Sequence, residues 1–235
     1  MLGMLKDLKQ EQRAHHPLDQ DLESRIANYE LAARMQVEAL RVANLGQESD
    51  ATRKLYGVDE KGSGKFGQQC LLARRLVESG VRFVQIYAGG GWDTHSNIAG
   101  QLPGLCHSID QGMSALLAEL DDRGLLKETL VVWSGEFGRL PTIEARNNTP
   151  GRDHNPYGFS MWLAGAGLKR GFDLGATDEL GYGAVAEHRA GHSDIHATIQ
   201  HLLGIDYEKN TFFHEGRNES LVGVTPARRL KEILA

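Results

Sequence analysis

The feature that most constrains this chain is a change of hydrophobic period at Gly80. Before Gly80, apolar residues such as Cys70, Leu71 and Leu76 recur at the spacing of one helix face. After it, residues 81–87 read Val-Arg-Phe-Val-Gln-Ile-Tyr, a run rich in β-branched and aromatic side chains. Such a run predicts a β-strand. The chain is therefore expected to mix helices with a sheet.

Two more strands are predicted at residues 130–133 and 159–164, and residues 102–123 predict an amphipathic helix between the first two strands. Continuous apolar runs are typical of strands covered on both faces, as in parallel sheets. Strand, helix and strand within this length form a βαβ unit. We therefore expect an α/β fold with a mostly parallel sheet flanked by helices. Residues 1–60 predict an N-terminal helical segment, and residues 61–235 the α/β domain portion.

Composition narrows the class of protein. The 235 residues carry a net charge of -5, with acidic and basic residues mixed along the chain, so nucleic acid is not an expected partner. No stretch approaches the roughly 20 apolar residues that a membrane-spanning helix needs. Cys70 and Cys106 lie in separate predicted amphipathic helices, and we expect buried free thiols rather than a disulfide.

Polar residues cluster beside each of the three predicted strands. Asp93 and His95 follow the first strand, Glu136 and Arg139 follow the second, and His154 lies in the long loop before the third. Parallel sheets bind ligands beyond the carboxyl ends of their strands, so these groups are expected to meet there. Asp and His suit a divalent ion such as zinc or manganese, and a guanidinium suits an oxyanion. An ordinary polar loop remains the alternative interpretation.

A different metal site is suggested by His188, His192 and His196, which are each four residues apart and would stack on one helix. However, Gly191 and the capping signal at Asp194 indicate that the helix begins after His192. The pattern also lacks the Glu of a His-Glu-x-x-His metalloprotease helix. Capping and packing are the favoured roles for these residues, although a metal role stays open.

Several motifs resemble, in collinear order, the DUF1501 family. They are Gly-Gly-Gly-Trp-Asp-Thr-His at residues 89–95, Gly-Glu-Phe-Gly-Arg at 135–139, Gly-Arg-Asp-His at 151–154, Phe-Ser-Met-Trp-Leu-Ala-Gly at 159–165, Gly-Ala-Thr-Asp-Glu at 175–179 and Asp-Ile-His-Ala-Thr-Ile at 194–199. Members of that family look like distant relatives of the alkaline phosphatase and sulfatase superfamily. The resemblance implies a two-metal α/β fold that hydrolyses sulfate or phosphate esters.

The same resemblance implies a role for each candidate residue. A divalent metal (zinc, calcium or manganese) is expected. The resemblance implies Asp93, His95 and His154 as ligands of a first ion, and it puts Glu136 at the position of the second. The implied partner is a small anionic ester, and the implied catalytic and substrate-binding residues are Glu136, Arg139, Arg152 and Asn97. Glu136 would act as a second ligand or as a general base.

Two departures from the superfamily pattern leave a second hypothesis open. Glu136 stands where the superfamily places an Asp-His pair, and the first strand with its nucleophile is not recognisable near the start of the chain. We therefore expect the chain to be the C-terminal part of an alkaline phosphatase-like fold that lacks the first strand. Such a chain is expected to form homo-oligomers or to need the missing N-terminal segment as a partner. Export is implied only for full-length relatives. The alternative is a non-catalytic binding module with a degenerate site.

Overall fold

The computed structural model describes residues 39–146, 149–185, 189–223 and 226–235, together with residues 7, 11, 24–25 and 27–30. The chain divides into two compact units, residues 1–48 and 49–235. In the first unit, residues 39–43 are helical and a 3-10 turn spans Leu45–Gln47. Of the residues predicted to form its apolar helix face, Leu22, Ile26, Ala33 and Val37 lie outside the described residues.

The second unit contains four α-helices and eight short strands among its described residues. In chain order they are α1 (Asp50–Leu55), α2 (Gly64–Glu78), α3 (Ile98–Asp122), β1 (Leu130–Trp133), β2 (Gly138–Arg139), β3 (Glu144–Arg146), β4 (Thr149–Gly151), β5 (His154–Asn155), β6 (Trp162–Gly165), α4 (His192–Leu202), β7 (Thr211–His214) and β8 (Arg217–Ser220). Short 3-10 helices span Leu125–Lys127 and Lys231–Ile233. Within the described residues, every helix is too short or too polar to cross a bilayer.

The core of this unit is the crossing of α2 and α3. Their buried apolar faces include Leu71 and Leu120, which are almost fully removed from solvent. The helices approach closely at Gly112, where a Cβ atom would lie 3.0 Å from the Cα of Gly67. Cys70 is buried in the same core with a free thiol, as expected, whereas Cys106 is partly exposed. Burial of these faces drives the pairing of α2 and α3, the two longest helices among the described residues.

The prediction of a mostly parallel sheet is wrong. The paired strands are β1–β6, β2–β5, β3–β4 and β7–β8, and each forms a two-stranded antiparallel ladder. The apolar run of β1 suggested burial on both faces, but Val132 and Trp133 are 41% and 37% exposed. The run reflects stacking across one ladder instead, because Trp133 pairs with Trp162 and the two indole rings are parallel.

Among the described residues, none pairs as a strand with residues 81–87, the first predicted strand. Phe83 and Tyr87 are 76% and 71% exposed, so the segment does not contribute a covered central strand. β-Branched and aromatic residues favour extended backbone, but a strand forms only where a neighbouring chain completes its ladder. The part of the chain that the structure describes therefore contains neither the βαβ unit nor the alkaline phosphatase-like sheet expected from the sequence.

Candidate metal centre

Three potential metal-ligand atoms converge at one point of the second unit. His154 Nε2 lies 2.8 Å from Asp93 Oδ1, and His95 Nε2 lies 3.1 Å from both of these atoms. The side chain of His95 is 16% exposed, that of His154 is 40% exposed, and that of Asp93 is 62% exposed. The three groups therefore form a cluster near the surface that is most exposed to solvent at its carboxylate.

A tight backbone turn places Asp93 and His95 together. The amide of Thr94 donates to the carbonyl of Trp92 at 3.0 Å, and that of His95 donates to the carbonyl of Asp93 at 3.2 Å. Thr94 is 3% exposed, while its two neighbours point toward the cluster. Because Thr94 is buried, Asp93 and His95 on either side of it can both direct their side chains to the same point.

The β2–β5 ladder brings His154 to the same point. Its register pairs Arg139 with His154, and the amide of Leu140 continues the contact by donating to the carbonyl of Asp153 at 2.9 Å. The ring of Phe137 packs against His154 with centroids 4.2 Å apart. His154 is therefore positioned by a short antiparallel ladder with β2, and not by the end of a parallel strand.

Gly151 ties the two histidine-bearing segments to each other. It is buried at the end of β4, and a Cβ atom there would overlap the backbone of His95 and Ser96. The amide of Arg152 donates to the carbonyl of Thr94 at 3.1 Å. Only glycine allows this close approach of the two backbones. The geometry of the cluster therefore depends on Gly151, which has no side chain that could bind a ligand.

The carboxylate of Asp93 is strongly stabilised in its ionised form. Hydrogen bonds from His154 and then from Arg139 lower the pKa of Asp93 to about 2. The guanidinium of Arg139 donates from Nη2 to Asp93 Oδ1 at 2.8 Å, and also to the carbonyl of Trp92. Asp93 is thus an anion at neutral pH, which is the form that binds a metal ion.

Glu144 is the residue that the sequence analysis missed. Its Oε2 atom lies 2.7 Å from His95 Nδ1, the ring nitrogen that faces away from Asp93 and His154. Glu144 reaches this position because the β3–β4 register pairs it with Gly151, which packs on the backbone of His95. The weak strand pattern before the Asn-Asn pair was the only available signal for this hairpin.

Other predicted site residues lie elsewhere or are already engaged. Glu136 and Asn97 are exposed and belong to neither group of potential metal ligands found among the described residues. Asn97 precedes α3 with a left-handed backbone (φ 48°). Arg152 donates from Nη1 to the carbonyls of Leu140 and Pro141, so it braces the loop between β2 and β3. Their predicted roles in substrate binding and catalysis stay predictions.

The rival histidine group does not assemble among the described residues. His192 is the first residue of α4 and stacks on Phe159, with ring centroids 4.7 Å apart. His196 is exposed, and neither residue belongs to a potential metal-ligand group. Asp194 accepts a hydrogen bond from the amide of Gly191, which is the expected capping role. His188 lies outside the described residues.

The sequence matches the family described as "Protein of unknown function (DUF1501)" over residues 1–234. No curated protein and no solved structure matches the chain.

Proposed function

The chain belongs to the DUF1501 family, and we propose that it is a metal-dependent hydrolase of small sulfate or phosphate esters. The observation that carries the metal part is the convergence of Asp93 Oδ1, His95 Nε2 and His154 Nε2 within 3.1 Å of one another. Two imidazole nitrogens and one carboxylate oxygen are a typical ligand set of catalytic zinc sites, which keep a further position open.

The spacing of the donor atoms fits such an ion. Ligand atoms at about 2.0–2.1 Å from a tetrahedral zinc ion are about 3.3 Å from each other. The three separations here, 2.8, 3.1 and 3.1 Å, need only a small outward movement of side chains that are partly exposed. Calcium and manganese are better suited by oxygen ligands, so the two imidazoles favour zinc among the ions expected from the sequence.

The chain's own groups have separate tasks in this proposal. Asp93, His95 and His154 hold the ion, and Arg139 orients the Asp93 carboxylate through its 2.8 Å hydrogen bond. A bound divalent ion polarises an ester oxygen and lowers the pKa of a bound water. The choice of sulfate or phosphate esters rests on the resemblance of these motifs to the alkaline phosphatase and sulfatase superfamily.

A non-catalytic metal-binding module is the second candidate, and one observation favours it. Both guanidinium groups predicted to bind the substrate anion are already engaged, Arg139 by Asp93 and Arg152 by backbone carbonyls. Substrate binding would therefore require at least one of them to exchange partners. The two candidates share the metal site and differ only in turnover.

Metal content and turnover separate these candidates. Chelator-treated protein is reloaded with zinc or manganese, dialysed, and measured by elemental analysis, for the wild type, His95→Ala and His196→Ala. We expect one ion per chain in the wild type and in His196→Ala, and none in His95→Ala. Hydrolysis of aryl phosphate or aryl sulfate by the wild type and by His196→Ala supports the enzyme, whereas bound metal without turnover supports the non-catalytic module. A wild type that retains no metal refutes both.

A further inference from the structure

The two ring nitrogens of His95 face different chemical environments. Nε2 faces Asp93 Oδ1 and His154 Nε2, each at 3.1 Å, whereas Nδ1 faces Glu144 Oε2 at 2.7 Å. A neutral imidazole carries one N–H donor and one acceptor nitrogen, and an ionised carboxylate only accepts. In a neutral ring facing an ionised carboxylate, the 2.7 Å contact therefore requires the proton on Nδ1 and leaves the lone pair on Nε2.

We propose that Glu144 is a positioning residue that fixes His95 in the Nδ1–H tautomer and thereby aims the Nε2 lone pair at the candidate metal centre. The metal part of this inference rests on the proposed function, but the tautomer does not. Metal-bound histidines commonly donate their second ring N–H to a carboxylate, which fixes the ring orientation and raises its basicity. Glu144 is in the place of such a carboxylate.

The remaining hydrogen bonds of the cluster agree with this tautomer. With a lone pair on His95 Nε2, the proton between the two histidines belongs to His154 Nε2. That proton is then directed toward Asp93 Oδ1 at 2.8 Å and His95 Nε2 at 3.1 Å. A single donor thus serves two acceptors, and a cation that replaces the proton meets three electron pairs.

Glu144 is held in place by backbone as well as by its own contact. The β3–β4 ladder pairs Glu144 with Gly151, and Gly151 packs directly on the backbone of His95. Its carboxylate is 25% exposed and the imidazole is 16% exposed, so water competes only in part for the bond. This partial shielding strengthens a charge-assisted hydrogen bond relative to one at the open surface.

Glu144 is not a fourth ligand of the same ion, because the imidazole ring of His95 lies between its carboxylate and the other donor atoms. The neighbouring acid Asp153 is a weaker partner, since its Oδ1 lies 3.7 Å from His95 Nδ1 and accepts from the amide of His154 at 2.8 Å. Asp153→Asn therefore makes a matched control, with the same loss of one negative charge beside the same ring.

The tautomer is measured by nitrogen-15 NMR of the histidine ring in metal-free protein, for the wild type, Glu144→Ala, Glu144→Gln and Asp153→Asn. We expect the Nδ1–H form of His95 in the wild type and in Asp153→Asn, and an increase of the Nε2–H form in Glu144→Ala. Glu144→Gln keeps an acceptor oxygen and is expected to keep the tautomer. If Glu144→Ala does not fold, the zinc affinity of Glu144→Gln, which is expected to be lower than that of the wild type, takes its place as the test.

Metal affinity is the second readout. We expect Glu144→Ala to bind zinc about 10–100-fold more weakly than the wild type, Glu144→Gln to lie between them, and Asp153→Asn to match the wild type. An Nε2–H tautomer in the wild type, or the same tautomer in wild type and Glu144→Ala, overturns the inference. If the tautomers are as expected but no variant binds zinc, the positioning role stands and the proposed function fails.

Discussion

Replacing Glu119 by alanine removes the carboxylate that faces a buried guanidinium between α2 and α3. Arg74 is 2% exposed, and its Nε atom lies 2.9 Å from Glu119 Oε2. Arg74 also bonds to Glu78 at 2.8 Å, and Glu119 also contacts Arg123 at 3.1 Å. The change removes the more buried of the two carboxylates that pair with Arg74, because the side chain of Glu119 is 11% exposed and that of Glu78 is 42% exposed.

The position of Arg74 sets the expected magnitude. Breaking a buried ion pair by removing one partner costs about 3–5 kcal/mol, because the other charge stays desolvated. Glu78 remains as a partner of Arg74, although its side chain is 42% exposed. Because this second pair remains, we expect the lower end of the range, about 3 kcal/mol. At about 2–4 °C per kcal/mol for a chain of this size, the melting temperature falls by about 6–12 °C.

Urea unfolding followed by far-ultraviolet circular dichroism measures this change, with Glu78→Ala as the matched control. The exposed carboxylate of Glu78 is expected to contribute about 0–1 kcal/mol. The double variant Arg74→Met/Glu119→Leu removes both charges and is expected to be within about 1 kcal/mol of the wild type, or more stable. Equal losses in Glu119→Ala and Glu78→Ala would refute the argument that burial of Arg74 decides the cost.

Three further predictions concern the core and the candidate site. Burial raises the pKa of Cys70 to about 12, so a thiol reagent at neutral pH should modify Cys106 quickly and Cys70 only after unfolding; two fast thiols would contradict this. Gly151→Ala forces β4 away from the backbone of His95, so zinc affinity measured by calorimetry should fall at least as far as in Glu144→Ala. Because the folded pKa of Asp93 is depressed to about 2 from 3.8, its ionised form stabilises the fold above pH 4. The difference in urea stability between wild type and Asp93→Asn should decline as the pH falls from about 4 toward 2; a difference that stays constant over that interval would contradict it.

The helices were predictable because periodicity is a local signal. The predicted helix at residues 102–123 corresponds to α3, Ile98–Asp122, and Gly124 follows it with a positive φ. Residues 130–133 were also correctly predicted as a strand. In each case the secondary-structure propensity of the segment agrees with the hydrogen bonds that it makes, either within the helix or with one partner strand.

Strand pairing was not predictable in the same way. Residues 81–87 have the composition of a strand, but no local pattern states whether a neighbouring backbone is present to pair with them. Residues 144–155 read as a polar loop, yet they contain β3, β4 and β5. Short ladders of two or three residues carry almost no periodicity, so their register is decided by contacts such as that of Gly151 with His95.

The candidate site also contains residues that could be predicted from the sequence and one that could not. Asp93, His95 and His154 could be selected from the sequence because their residue types suit a metal ion. They lie together although the described residues do not form the sheet that was expected to join them. Glu144 could not be selected, because its importance depends on a cross-strand register. Metal binding by the three selected residues stays a prediction until it is measured.

X-ray absorption at the zinc edge of reloaded protein tests directly whether one ion is held by two imidazoles and a carboxylate. We expect only nitrogen and oxygen neighbours at about 2.0–2.1 Å, with outer-shell scattering from two imidazole rings in the wild type and from one in His154→Ala. A sulfur shell at about 2.3 Å would place the ion on cysteine. Sulfur scattering, or wild-type scattering without imidazole, would contradict the account.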